Sequence, residues 1–191
     1  MLLRLLLDMI GQSVKGLERE LALPPTQERP ADMVGAAVPG AMAPADMPVQ
    51  GRATDDPALL DQYLTLPMVH LVVDGYNVTK TGYGDLPLVA QRNRLTRGLA
   101  VLAARTGAEV TVVYDGASRP PVMPATPRGV RVLFSTPGQT ADDLIRRLVA
   151  AEPAGRPIVV VSTDREVAEG AKRAGAHPVP SVSLLARLER G

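Results

Sequence analysis

Four short apolar runs punctuate the second half of the chain: MVHLVV at 68–73, EVTVVY at 109–114, VRVLF at 130–134 and PIVVV at 157–161. Each is rich in β-branched residues, long enough for a buried strand and too short for a helix. The intervening stretches switch to a helical period. Leu88, Leu95, Leu99 and Leu102 lie on one face of a helix expected over 86–105, and further helices are expected over 140–151, 165–174 and 181–189, with a short strand near 177–179. Thr140 with Asp143, and Thr163 with Glu166, have capping-box spacing, and Gly107 and Gly175 stand where helices should end. Strands alternating with helices predict an α/β fold, with three layers around a central, mainly parallel sheet. Residues 116–129, with Pro120, Pro121, Pro124 and Pro127, form a loop too long for a simple turn.

The first third follows other rules. Leu3, Leu7, Ile10, Val14, Leu17 and Leu21 fall on one stripe, which predicts an amphipathic helix over 1–23. That stripe suits docking on its own domain or on a partner. Residues 24–57 hold seven prolines and seven alanines with no sustained period, the composition of a flexible linker. The expected organisation is therefore a helix (1–23), a Pro/Ala-rich linker (24–57) and one folded domain (58–191).

Composition narrows the chemistry. The absence of cysteine removes disulfide scaffolds, Cys-based zinc sites and thiol catalysis, and fits a cytoplasmic protein. The leading MLLRLLLDMIG is broken by Arg4 and Asp8 and is too short to span a bilayer, so no membrane role is expected. The net charge of +1 hides an asymmetry: residues 1–66 carry five Lys/Arg against nine Asp/Glu, while residues 67–191 carry sixteen against eleven. A mildly basic folded half suits a polyanionic partner. There is no P-loop, no GxGxxG fingerprint and no DxD after the first strand.

What remains is a set of acids. Asp74 ends the first apolar run, Asp142 opens the helix that follows VRVLF, and Asp164 follows PIVVVST. In a parallel sheet the carboxyl ends of the strands face one crevice. Carboxylates gathered there repel one another unless a cation neutralises them, which predicts a divalent metal held by Asp74, Asp142 and Asp164. Taken singly, each acid is equally a helix-start or turn residue. Asn77 is placed to orient a metal-bound water or to touch a phosphate. Asp115 either supports the site or holds its own turn. Arg92, Arg94 and Arg97 are candidate phosphate contacts beside such a centre, although a solvated helix face explains them too; Tyr76 and Tyr83 are candidate stacking partners for a base. His70 and His177 are read as structural.

VVDGYNV at 72–78, the RxxLxxxL spacing of Arg92, Leu95 and Leu99, VVYDG at 112–116, TADDLI at 140–145 and STDREV at 162–167 occur in that order. In this the chain resembles the NYN-domain ribonucleases, specifically the YacP-like branch with its PIN-like fold, over about residues 68–189. The resemblance implies an endoribonuclease dependent on Mg²⁺ or Mn²⁺, with Asp74, Asp142 and Asp164 as catalytic acids and Asn77 and Thr163 in support. One departure stands out: Arg146 occupies a position where YacP-like relatives tend to have Glu, which weakens any second metal site. The expected function is metal-assisted hydrolysis of RNA; the alternative is an RNA-binding or adaptor module with a degenerate site. RNA is the expected partner, with the ribosome or a protein reached through residues 1–23 as a further one. The sequence leaves the oligomeric state open.

Overall fold

A computed structural model describes residues 57–116 and 126–190, so the predicted helix over 1–23, nearly all of the linker and most of the Pro-rich loop lie outside the described residues. In chain order the elements are α1 (Pro57–Leu64), β1 (His70–Asp74), α2 (Gly75–Tyr83), α3 (Leu88–Thr106), β2 (Glu109–Tyr114), β3 (Val130–Phe134), α4 (Ala141–Ala151), β4 (Ile158–Val161), α5 (Arg165–Arg173), β5 (His177–Val179) and α6 (Ser181–Glu189). The five strands form one sheet in the order β3-β2-β1-β4-β5, and every neighbouring pair is parallel.

Alternation along the strands builds two separate cores. Leu71, Val73, Val110, Val112, Val159 and Val161 face one side, where α1, α3 and α6 contribute Leu60, Leu95, Leu99 and Leu184. Val72, Val113, Ile158 and Val160 face the other, against Leu144, Ile145 and Leu148 of α4 and Val167 of α5. The three-layer α/β architecture expected from the sequence is therefore present, and the sheet is wholly parallel.

Two helices escape the hydrophobic pattern. Residues 75–83 read as a strand exit, yet they form α2, capped by Asp74, whose Oδ1 accepts from the Asn77 N–H. The β-branched residues and glycines in GYNVTKTGY hide the helix, because they lower its intrinsic propensity. Gly75 is small for a packing reason: a Cβ there would collide with the Tyr114 ring. Residues 57–64 form α1 where the linker was expected to end, tied to α6 by Arg187 Nε donating to Asp61 Oδ1 at 2.6 Å. The first strand also starts later than expected, since Met68 has a φ of 57°, which no extended strand accommodates. At Thr140 the capping box forms as predicted. At Thr163 it does not: Asp164 caps α5 instead, and the Thr163 hydroxyl accepts from the Ser181 N–H.

At the edge where the strands begin, charged groups are buried and matched. His70 Nδ1 lies 2.5 Å from Glu152 Oε1, and its Nε2 lies 2.8 Å from Thr111 Oγ1. Arg156 donates to Glu152 Oε2 at 2.7 Å, to Glu109 Oε2 at 2.6 Å and to the Met68 carbonyl at 2.9 Å. His70 is thus structural, and so is His177, which stacks on Tyr63 with ring centroids 4.7 Å apart.

Candidate active site at the carboxyl edge

The chain leaves β1 toward β2 and β3 on one side and returns to β4 on the other, so the strand order reverses between β1 and β4. Such a switch point opens a crevice outside the carboxyl ends of the strands. Asp74 closes β1 there, and Asp164 starts the helix after β4. Both line one cleft of about 590 Å³, together with Tyr76, Asn77, Lys80, Leu88, Asp115 and Ala141. Asp142 is the next residue along from Ala141.

Local bonds orient two of the three acids. Ser162 Oγ donates to Asp74 Oδ2 at 2.9 Å and accepts from the Asp164 N–H at 3.1 Å, so one buried hydroxyl bridges the two positions. Asp164 Oδ1 accepts the first free N–H groups of α5, from Glu166 at 2.8 Å and Val167 at 3.4 Å. The capping roles that compete with function in the sequence are therefore real, but they occupy one oxygen of Asp164 and leave the other. Asp143, not Asp142, carries the capping box of α4 and pairs with Arg146. The Asp142 carboxylate makes no hydrogen bond with a described residue.

The acids feel one another. Burial pushes the Asp74 carboxyl above its ordinary range, and the charges of Asp142 and Asp164 push the same way, against the hydrogen bonds from Ser162 and Asn77. Asp142 is also raised, by burial and then by Asp164, with Glu166 and Asp143 adding to the effect and Arg146 opposing it. A negative field held at a cleft without an equal cation is the donor set of a hard divalent ion. Among the described residues, however, no three His, Cys, Asp or Glu side chains come together as a ready-made metal cage. These two facts agree for Mg²⁺, which keeps most of its waters and takes one or two carboxylates plus substrate phosphate oxygens. The residues fit that water-rich mode and do not fit an all-protein cage.

The other candidates separate. Asn77 is tied down: its Oδ1 accepts from the Thr163 N–H at 2.8 Å and from Ser181 Oγ at 2.6 Å. That oxygen cannot also position a water, so Asn77 joins α2 to the β4–α5 turn and α6, leaving only its NH₂ toward the cleft. Tyr76 lines the cleft with its ring tilted on Tyr114 at 4.9 Å, and its OH accepts from Arg92 at 2.7 Å. Arg92 is consequently buried, which corrects its placement on a solvated face. Arg94 is exposed and sits 4.4 Å over the Tyr83 ring, and Arg97 is exposed. The three arginines do not form one phosphate-binding face, because the helical period turns Arg92 inward with Leu95 and Leu99. Asp115 reaches the cleft as well.

Sequence reasoning overlooked Ser162, Ser181, Lys80 and Tyr114. The first two carry no motif apart from their neighbours, and Tyr114 looks like an ordinary strand residue. Lys80 was hidden with α2. Had 75–83 been recognised as a helix, its spacing of four from Tyr76 would have placed it on the same face.

A family model described as the YacP-like NYN domain matches residues 71–191. Among solved structures, the chain is similar to Rae1 (YacP) from Bacillus subtilis, at 26% identity and a TM-score of 0.58, covering 65% of this chain and 75% of that one. A tryptophan-to-leucine mutant of the same protein aligns at 28% identity and a TM-score of 0.55, over 63% and 74% of the two chains. No curated protein matches the chain. Among the described residues no helix is long and apolar enough to cross a membrane.

Proposed function

The chain belongs to the YacP-like NYN domain family, and from that premise we propose that it is a metal-dependent endoribonuclease acting at the carboxyl edge of its sheet. The observation that carries this reading is the mutual field of Asp74, Asp142 and Asp164 at the switch point, with two of the three held above their ordinary range. When bound there, Mg²⁺ or Mn²⁺ supplies an activated water and offsets charge developing on phosphoryl oxygens. Asp74 and Asp164 are the residues to hold it, with Asp142 as a third, partly exposed carboxylate.

The chain's own groups do the positioning. Ser162 fixes the rotamer of Asp74 and the turn that presents Asp164. Asn77 ties α2 to that turn and to the start of α6. Tyr76 offers a ring whose tilt is set by Tyr114 and whose hydroxyl is held by Arg92, which suits contact with a base at low entropic cost.

Asp74→Asn can keep the cap through its one amide oxygen and meet Ser162 Oγ with its NH₂ as donor, while removing the charge. Cleavage of a labelled RNA in Mg²⁺ or Mn²⁺ should fall about a thousandfold, the scale of losing one preorganised electrostatic group. EDTA should abolish wild-type cleavage. Undiminished cutting by the purified variant would remove Asp74 from the mechanism.

A second reading, an RNA-binding adaptor with a degenerate site, draws on Arg146, whose charge opposes the rise at Asp142. Tight RNA binding with no turnover at any Mg²⁺ or Mn²⁺ concentration would select it.

A further inference from the structure

We propose that Lys80 and Leu88 form a two-sided seat for a single RNA strand at this cleft, Lys80 taking a backbone phosphate and Leu88 the face of an adjacent base. The proposal rests on the nuclease reading above and assigns how the strand is gripped.

Both residues line the same cleft as Asp74, Tyr76 and Asp164. Lys80 is exposed on α2, one turn beyond Tyr76, and makes no hydrogen bond or ion pair with a described residue despite the acids that share its cleft. An ammonium in an acidic cleft that neutralises none of its neighbours is free for an incoming anion. Leu88 adds an apolar surface to the same lining. Leu86, Leu88 and Val89 are 37%, 45% and 58% exposed around the start of α3, three large apolar residues within four positions, of which Leu88 lines the cleft. Single exposed apolar residues need no explanation, but a run beside a charged cleft points to a ligand with an apolar face. Tyr76 lies in the same lining, its ring and hydroxyl both fixed. A nucleotide strand offers an anionic phosphate and a flat π-face at every step, which matches a lining that holds a cation, an aromatic ring and an exposed apolar side chain.

The two halves of the seat have separable signatures. A phosphate contact changes the salt dependence of binding, whereas a base contact changes affinity alike at every salt. The full chain is titrated into a labelled, mixed-sequence single-stranded RNA in EDTA, where no cutting occurs, from about 50 to 200 mM salt. Lys80→Ala should lower the slope of log affinity against log salt by about 0.7, the single-strand value for one phosphate, and Lys80→Arg should restore it. Lys80 also lies in the last turn of α2, where a cation favours the helix dipole. Losing that effect changes stability and leaves the slope alone. Leu88→Ser should keep the slope and weaken binding about three- to tenfold throughout.

An unchanged slope in Lys80→Ala overturns the phosphate contact, and unchanged affinity in Leu88→Ser overturns the base contact. Wild-type binding with these signatures but no cleavage in Mg²⁺ or Mn²⁺ would sink the nuclease reading and leave the seat standing. No binding by the wild type in EDTA or in Mg²⁺ would overturn both.

Discussion

The two ends of the sheet carry charge clusters of opposite character. Where the strands begin, Glu109 and Glu152 meet Arg156 and His70, nearly every charge has a partner within 3 Å, and Glu152 is 1% exposed. Where the strands end, Asp74 and Asp164 line a cleft with Asp142 one residue beyond its edge, and no cation bonds to any of the three carboxylates among the described residues. The electrostatics follow. Burial pushes Glu152 up, but His70 and Arg156 outweigh it and hold the carboxyl below the ordinary range. Asp74 and Asp142 are held above it, by burial first and with the charge of Asp164 adding to both. Both clusters are partly buried, so burial alone does not mark a site. The difference lies in whether the fold completes its own charge balance or leaves it for a ligand.

The sharpest way to break the comparison is to unbalance the matched end. Glu152→Ala removes the carboxylate that His70 and Arg156 share in the core, leaving Arg156 only Glu109 and the Met68 carbonyl and His70 only Thr111, and should cost about 3–5 kcal/mol of stability in urea or thermal melts. Cleavage per folded molecule should survive at permissive temperature, because the cluster lies at the opposite edge from the cleft. Since Glu152 is depressed, its contribution is present above the ordinary carboxylate range and is lost as pH falls through the lowered folded value. A loss under about 1 kcal/mol would show that the network adds nothing beyond a surface ion pair.

A smaller effect is expected from Gly75→Ala at the unbalanced end. The added methyl meets the Tyr114 ring, an overpacking that costs about 1–3 kcal/mol, although alanine is the better helix former. Tyr76 and Asn77 ride on the same turn, so cleavage should fall with stability. Tyr114→Leu in the same chain should recover part of both. No recovery would mean that Gly75 serves the backbone rather than the ring.

This contrast also explains what the sequence could tell. The strands at 109–114 and 130–134 and the helix at 181–189 were legible because buried β-branched runs and leucine periods report directly on the core. The positions of Asp74 at the end of β1 and Asp164 after β4 were legible because a parallel sheet sends its strand ends to one edge. The matched network was not: His70, Glu109, Glu152 and Arg156 are distant in sequence, and only the parallel registers of β1 with β2 and β4 bring them together. Arg92 misled for a related reason. Its polarity argued for solvent, but the helical period put it on the leucine face, where the Tyr76 hydroxyl makes its burial tolerable. Ser162 and Ser181 have no pattern at all; each matters only through the residue it reaches, Asp74 or Asn77.

The finest test asks whether the unbalanced end is a thermodynamic burden in the absence of metal. A carboxyl raised in the folded state binds its proton more tightly there than in the unfolded chain, so it adds stability below the unfolded value and loses it as pH rises through the raised one. At neutral pH Asp74 is therefore charged at a cost that Asp74→Asn removes, while the asparagine oxygen can still accept from Asn77 N–H and its NH₂ can donate to Ser162 Oγ in place of the bond now accepted from it. In EDTA the variant should melt roughly 1–3 °C above the wild type at pH 7. The gap should close as pH falls through the raised range, where the wild-type carboxyl becomes neutral. Adding Mg²⁺ at pH 7 should narrow the gap from the other direction, by stabilising only the wild type. A variant that melts lower at every pH would mean that the Asp74 charge supports the fold, and the two ends of the sheet would then differ in geometry alone.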